Sequence, residues 1–186
     1  MDQAAFDALW DSLSEIADPT ITNPRYREGR YIQQDYEEMN RFVHLLNDLK
    51  PQRILEIGNA CGGTTLLWRA IAPVVISIDL EPVGSDIAAD RFQDVTFILG
   101  DSHDPNILEQ AKAFAPYDML FIDGDHSTEG ARRDYDMYAP LVREGGIVAF
   151  HDYNYHHVRA AIDSIDLPKE IIMHKPTTFA IAIIRK

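Results

Sequence analysis

The sequence is poor in features that would each mark a particular class of protein. The single cysteine, Cys61, cannot form an internal disulfide, which favours a cytoplasmic protein. No apolar run approaches the roughly 20 residues that span a bilayer, so we expect no membrane partner. The first residues, Met1 to Asp7, are acidic and lack the basic-then-apolar order of a signal peptide.

Basic residues are also scarce. Lys and Arg total 17 against 30 Asp and Glu, and the net charge is −13. Proteins that bind nucleic acid neutralise its phosphates with clusters of Lys and Arg, and no such cluster is visible here. We therefore expect no nucleic-acid partner and a small-molecule substrate instead.

Apolar strands alternate with helices over most of the chain. Strands are predicted at Arg53–Ile57, Val74–Ile78, Val95–Leu99, Asp118–Ile122, Gly146–Phe150, Glu170–His174 and Phe179–Ile184. Helices are predicted at Thr64–Ala72, Asn106–Phe114, Thr128–Val142 and Tyr155–Ile165, with a weak turn near Ser85–Phe92. This alternation predicts an α/β fold: a Rossmann-like, seven-stranded, mainly parallel sheet with helices on both faces. The short connection before the final strand suits a hairpin, which makes that strand antiparallel.

We expect one domain over residues 1–186. Its first 50 residues form a helical N-terminal extension with helices at Asp2–Ala17 and Glu37–Leu49, and residues 51–186 form the Rossmann-like core. Between the two helices, the irregular segment Arg25–Tyr31 is a candidate lid over the site, because long irregular segments in compact domains are usually functional.

The stretch from Arg53 to Gly63 joins a strand to a helix through a loop of small residues. Such loops bring backbone close to a nucleotide-like ligand, because glycine has no Cβ and the helix start offers free N–H groups. A dinucleotide loop reads G-x-G-x-x-G, but Ala60 stands at its second glycine. Glu56 adds a negative charge just before the loop. Both features disfavour a pyrophosphate, and therefore NAD, whereas a sulfonium or amine would tolerate Glu56.

Each of the first five predicted strand ends carries an acidic residue: Glu56, Asp79, Asp101, Asp123 and Asp152. Because ligands of parallel α/β sheets bind beyond the carboxyl ends of the strands, these acids predict a site at that edge. Asp79 is placed to accept hydrogen bonds from ribose hydroxyls, and the alternative is a turn or cap role. Asp101 is placed to meet an adenine ring, and the alternative is an Asx turn.

The E-x-G-x-x-x-G loop followed by Asp79 resembles the class I S-adenosylmethionine-dependent methyltransferases. The segments 117–127 and 141–152 resemble, more specifically, the small-molecule O-methyltransferase branch that contains macrolide-sugar and aminocoumarin enzymes. The resemblance covers about residues 50 to 155 and implies S-adenosylmethionine as the cofactor. It implies contacts from Asp79 to the ribose and from Asp101 and Ser102 to the adenine. The residues implied around the rest of the cofactor are Glu56, Gly58, Asn59, Ala60, Gly62, Gly63 and Asp123.

The same resemblance raises the question of a metal. Several members hold a divalent ion, usually Mg²⁺, through an acid after the fourth strand and an acidic pair after the fifth. Asp123 and Asp152 match two of these positions, but His151 stands at the third. Because Mg²⁺ prefers oxygen ligands and imidazole suits transition metals, a Mg²⁺ or Mn²⁺ site formed by Asp123, His151 and Asp152 is left open.

Two chemistries are therefore open for this site. In one, the metal lowers the pKa of a substrate hydroxyl. In the other, His151 or His126 takes the hydroxyl proton and Asp152 orients the imidazole. Each histidine also has a structural alternative: His126 belongs to a helix start that Ser127 would cap, and His151 is a strand-end residue.

The sequence thus predicts an S-adenosylmethionine-dependent methyltransferase that acts on a hydroxyl of a small metabolite. A non-catalytic S-adenosylmethionine-binding partner or regulatory module is the alternative, followed by an NAD-linked enzyme. Methylation of a planar nitrogen is disfavoured, because Asp-Gly-Asp-His follows the fourth strand in place of an Asn-Pro-Pro-Tyr segment. The substrate is open, and so is the oligomeric state, although a second copy would help so short a chain to complete its pocket.

Overall fold

The computed structural model describes residues 1–14, 32–83, 89–176 and 179–186. A seven-stranded sheet lies at its centre, with the order β3-β2-β1-β4-β5-β7-β6. The strands are β1 Arg53–Ile57, β2 Val74–Asp79, β3 Val95–Leu99, β4 Tyr117–Ile122, β5 Val142–Phe150, β6 Lys169–Ile172 and β7 Ile181–Arg185. The first five are parallel, and β7 runs antiparallel to both β5 and β6. The predicted fold class is confirmed.

Helices cover both faces of the sheet. They are α1 Gln3–Ser14, α2 Tyr36–Leu49, α3 Gly63–Arg69, α4 Pro105–Lys112, α5 Thr128–Tyr138 and α6 His156–Asp163, with 3-10 turns at Ala89–Phe92 and Ala139–Leu141. Alternate side chains of each strand point to opposite faces, so Ile54 joins the apolar cluster under α1 to α3 and Leu55 the cluster under α4 to α6. None of the helices in the described ranges has both the length and the hydropathy needed to cross a bilayer.

Several boundaries differ from the prediction by a few residues. The helix predicted over Thr128–Val142 ends at Tyr138, because Pro140 has no N–H to continue it, and Val142 already begins β5. The helix predicted over Asp2–Ala17 is described only as far as Ser14. The proposed lid, Arg25–Tyr31, and the start of the predicted turn at residues 85–88 lie outside the described residues.

The strand order places three loops at one point of the sheet edge. β2 and β4 lie on opposite sides of β1 in the sheet. The connections that leave β1 and β4 therefore run to opposite sides, and a crevice opens between their loops. Backbone hydrogen bonds continue past the strand ends and tie these loops together. Gly58 donates to the carbonyl of Ile78, Asp123 to that of Ile57, and His151 to that of Ile122.

Candidate active site

A cavity of about 570 Å³ opens beyond the carboxyl ends of β1, β4 and β5, within the usual size of a small-molecule site. Eight of the predicted site residues line it: Gly58, Asn59, Ala60, Gly63, Asp123, His126, His151 and Asp152. Five do not: Glu56, Gly62, Asp79, Asp101 and Ser102. The structure therefore brings the glycine loop and the predicted catalytic residues together around one space.

The Asp79 carboxylate holds the glycine loop in its conformation through hydrogen bonds. The backbone N–H groups of Asn59 and Ala60 donate to Oδ2 of Asp79, at 2.9 and 3.0 Å. Ala60 adopts a left-handed conformation with φ of 45°, which costs a non-glycine residue about 1 kcal/mol or more. These two amides point at an acidic side chain, so a pyrophosphate there would meet negative charge. This geometry, like the loop sequence, disfavours a dinucleotide.

Gly58 brings the loop into contact with β4. It has φ of 86°, and a Cβ on it would overlap the backbone carbonyl of Asp123. No other residue type fits this approach, so the glycine is required by packing against β4 as well as by its conformation.

Glu56 lies beneath the loop and is fully buried. Its carboxyl group accepts hydrogen bonds from the Thr65 hydroxyl, from Trp68 Nε1 at 2.9 Å and from the Ser77 hydroxyl at 2.7 Å. Burial, opposed by these hydrogen bonds, raises its pKa to about 7. It is linked to the cavity wall indirectly, because Ser77 Oγ also accepts a hydrogen bond from the Asn59 side chain at 3.0 Å.

The two residues predicted beside the adenine lie at the end of β3. The side chain of Asp101 is 62% exposed and accepts a hydrogen bond from the His103 backbone N–H, so the Asx turn considered as an alternative is present. The Ser102 hydroxyl donates to Oδ1 of Asp134 at 2.7 Å.

The predicted catalytic residues form a cluster of two carboxylates and two imidazoles. His126 Nε2 lies 2.6 Å from Asp152 Oδ2 and 3.6 Å from Asp123 Oδ1. His151 Nδ1 lies 3.3 Å from Asp123 Oδ1 and 3.4 Å from Asp152 Oδ1. Asp152 has a left-handed backbone with φ of 58°, which turns the chain sharply after β5. His126 is 47% exposed at the cavity mouth, whereas His151 is buried.

Electrostatics makes this cluster a set of ion pairs. Contacts with the Asp123 and Asp152 carboxylates raise the pKa of His126 to about 10. Burial lowers the pKa of His151, but the same carboxylates outweigh burial and raise it to about 10. The imidazoles in turn outweigh the burial of Asp123 and Asp152 and hold the pKa of both acids below the usual range. These shifts favour the ion-paired form of the cluster, in which the carboxylates face protonated imidazoles.

The ligand atoms of the cluster fit a divalent cation, but one residue differs from the predicted set. Asp123, His126 and Asp152 each offer one ligand atom, and these atoms lie within 4.8 Å of one another. The predicted set had His151 in place of His126, and the structure adds His126 at the open side of the cluster. Neither ring nitrogen of the buried His151 has a well-formed hydrogen bond within the described part of the chain. A set that mixes carboxylate and imidazole suits Mn²⁺ or another transition metal better than Mg²⁺.

Several cavity residues were not predicted from the sequence. Gln34, just before α2, donates from Nε2 to Asp123 Oδ2 at 3.0 Å, and Gln33 lies beside it. Thr64, Pro176 and Phe179 complete the unpredicted part of the wall. Of the loop after β5, Asn154 and Tyr155 line the cavity. No local pattern marks the two glutamines, because they reach the cavity, and Gln34 reaches Asp123, only through the tertiary fold.

Comparisons with known proteins identify the family. A family model described as a methyltransferase domain matches residues 55–153. Demethylmacrocin O-methyltransferase of Streptomyces fradiae is 30% identical over 110 residues, which cover 54% of this chain and 27% of that protein. The chain thus spans about a quarter of that relative's length.

Solved structures share the fold. An O-methyltransferase from Bacillus cereus in complex with SAH has a TM-score of 0.64 at 15% identity, over 100% of this chain and 92% of that one. MycE from the mycinamycin biosynthetic pathway, in complex with Mg, SAH and mycinamycin VI, has a TM-score of 0.61 at 17% identity, over 79% of this chain and 48% of that one. The chain belongs to the methyltransferase-domain family, which confirms its classification with the class I S-adenosylmethionine-dependent methyltransferases.

Proposed function

We propose that the protein transfers a methyl group from S-adenosylmethionine to a hydroxyl oxygen of a small metabolite. One observation carries the proposal: the glycine loop and the cluster of Asp123, His126 and Asp152 open into the same cavity. A methyl donor on the loop would therefore lie beside groups that move protons. The O-methyltransferase named among the relatives and the O-methyltransferase among the solved structures support oxygen as the acceptor atom.

The cofactor is proposed to lie across the sheet edge from the cavity toward β3. Gly58 to Gly63 would surround its amino-acid part, Asp79 would accept hydrogen bonds from the ribose, and Asp101 and Ser102 would lie near the adenine. Leu80 follows Asp79 and is 71% exposed, so it offers an apolar surface on which the adenine ring can pack. Asp123 lines the same cavity, and its carboxylate offers a negative charge to the sulfonium cation.

The proposed reaction needs a proton acceptor for the substrate hydroxyl. Before a substrate binds, the protonated form of His126 is favoured, because contacts with Asp123 and Asp152 raise its pKa to about 10. A substrate that separates His126 from Asp152 weakens this stabilisation, so the imidazolium releases its proton to solvent, and the neutral imidazole then accepts the hydroxyl proton. The oxygen then attacks the methyl carbon, and the carbon–sulfur bond breaks as the carbon–oxygen bond forms. S-adenosylmethionine supplies the electrophilic methyl group and leaves as a neutral thioether.

A divalent cation remains compatible with this proposal. Asp123 and Asp152 would hold it together with His126, and it would supply a positive charge that lowers the pKa of the substrate hydroxyl. In that case His126 serves as a ligand, and Gln34 keeps Asp123 oriented through its amide.

Calorimetric titration tests the proposal. The protein, first treated with EDTA, is titrated with S-adenosylhomocysteine alone and then with Mg²⁺ or Mn²⁺ present, and NAD serves as the control ligand. We expect one molecule of S-adenosylhomocysteine to bind per chain and NAD not to bind. Absence of S-adenosylhomocysteine binding would contradict the proposal. An affinity raised by Mn²⁺ favours the metal route, and an affinity that neither ion changes favours the histidine route.

A further inference from the structure

Asp134, on α5, is a buried acid outside the catalytic cluster. Its side chain is fully buried, and Oδ1 accepts the Ser102 hydroxyl at 2.7 Å with His103 Nε2 at 3.2 Å. Its other oxygen, Oδ2, has no hydrogen-bond partner within the described part of the chain. Burial raises the pKa of Asp134 to about 6, because the ionised carboxyl group loses hydration at a desolvation cost. A leucine of similar volume would avoid that cost, so packing alone does not account for an acid here.

Asp134 lies next to the region proposed for the nucleoside. Gly124 follows the cavity residue Asp123, and a Cβ on Gly124 would lie 3.7 Å from Asp134 Oδ2. On the other side, Ser102 is held by α5 at two points. Its hydroxyl donates to Asp134, and its backbone carbonyl accepts the Tyr138 hydroxyl at 2.7 Å. The orientation of the Ser102 side chain is therefore set from beneath by α5.

This orientation decides what Ser102 can offer to a ligand. A serine hydroxyl has one hydrogen and two acceptor lone pairs. Because the hydrogen is directed at Asp134, lone pairs alone remain for a partner on the outward side. The 6-amino group of adenine donates hydrogen bonds, whereas the 6-oxo group of hypoxanthine accepts them.

We propose that Asp134 is a positioning residue that makes Ser102 a hydrogen-bond acceptor and thereby selects a 6-aminopurine over a 6-oxopurine in the bound nucleoside. The inference rests on the proposed binding of S-adenosylmethionine. A purely structural Asp134 would tie α5 to the loop after β3, and its loss would weaken both purines equally. A positioning role changes the ratio of the two affinities.

The test compares dissociation constants for S-adenosylhomocysteine and S-inosylhomocysteine by calorimetry. The wild type is expected to prefer the adenine compound by about tenfold or more, the size of one well-formed hydrogen bond. Asp134→Leu and Ser102→Ala are expected to reduce this preference to less than about threefold. Asp134→Asn should retain it, because the amide oxygen still accepts the Ser102 hydrogen. Asp136→Asn, on the same helix and paired with Arg132 at the surface, is the matched control.

The outcomes separate this inference from the function on which it rests. If the wild type binds neither compound, the proposed function fails. If it binds S-adenosylhomocysteine but shows no preference, or if Asp134→Leu weakens both compounds by the same factor, the positioning role alone is overturned. Should Asp134→Leu fail to fold, Ser102→Ala decides, since an unchanged preference in that variant removes Ser102 as the selecting acceptor.

Discussion

Glu56 lies near the end of β1, and Asp123 and Asp152 follow β4 and β5, yet the pKa values of these acids move in opposite directions. The donors to Glu56 are neutral, among them Thr65, Trp68 and Ser77, and burial still raises its pKa to about 7. The two aspartates are also mostly buried, but they face the imidazoles of His126 and His151, and their pKa values are lowered. The charge of the partners, rather than the number of hydrogen bonds, sets the ionisation of these acids.

The comparison also separates two roles. Glu56 joins β1, β2 and α3 beneath the loop and does not line the cavity, whereas both aspartates line it. A shifted pKa therefore marks both a structural carboxyl group and a proposed catalytic one in this protein, and exposure to the cavity distinguishes them.

Substituting Asp152 should produce the largest effect. Asp152→Asn removes the charge that pairs with His126 and His151, and asparagine tolerates the left-handed backbone at this position. We expect turnover, measured as S-adenosylhomocysteine formation with a hydroxylated acceptor, to fall by about 10²–10⁴-fold. The affinity for S-adenosylhomocysteine should change by less than about threefold.

Asp166→Asn, at an exposed position after α6, is the control and should retain full turnover. Unchanged turnover in Asp152→Asn would contradict a role in proton transfer. A matching loss of cofactor affinity would instead assign Asp152 to cofactor binding.

The second prediction concerns stability and pH, and it addresses Glu56. Its folded pKa of about 7 exceeds its ordinary value of 4.5, so between these values the folded protein holds a proton that the unfolded chain has released. Stability should therefore fall as pH rises from about 4.5 to 7 and then level off, by an amount on the order of 3 kcal/mol. Glu56→Gln cannot ionise and should lose this part of the pH dependence.

Urea denaturation of both proteins between pH 4 and 8 measures the difference, since other titrating groups cancel in the comparison. Glu109→Gln, at an exposed position on α4, should follow the wild-type curve. Parallel curves for the wild type and Glu56→Gln would show that Glu56 is not protonated in the folded state.

The smallest predicted effect comes from one hydrogen-bond donor. Trp68→Phe keeps an aromatic ring beside Phe42 and Phe121 but removes the N–H that reaches Glu56. The free energy of unfolding should fall by about 1–2 kcal/mol, from the lost hydrogen bond and the smaller ring. The pKa of Glu56 should rise further, because its carboxylate loses a hydrogen-bond donor. The decrease in stability with rising pH should therefore extend above pH 7.

Trp10→Phe, on α1, removes the same atoms away from Glu56 and is the control for ring size. If both variants show the same pH dependence, the indole N–H does not affect the ionisation of Glu56.

Local pattern was sufficient to predict most of the sheet and the residues at its edge. Apolar runs marked each strand, and parallel strands share one carboxyl edge, so Asp123 and Asp152 were expected to meet. The direction of Glu56 was also available from the sequence. Side chains alternate along β1, so Glu56 shares a face with Ile54, and Ser77 is a polar residue within the otherwise apolar β2.

Other contacts have no local signal. Gln34 lies 89 positions from Asp123 in the chain, and nothing in its neighbours indicates their hydrogen bond. The pairing of His126 with Asp152 likewise depends on how the loop after β4 folds back toward β5, so the sequence could not favour His126 over His151. Such contacts arise from tertiary packing, which residue type and spacing do not specify.

Gly58 has a consequence for the geometry of the proposed reaction. Because Gly58 has no side chain, the glycine loop contacts the backbone of Asp123 directly. This contact fixes the separation between the proposed cofactor side and the proposed substrate side of the site. A displacement of about 1 Å between reacting groups can cost about 100-fold in rate. The distance over which the methyl group would be transferred therefore depends on the absence of a Cβ at Gly58.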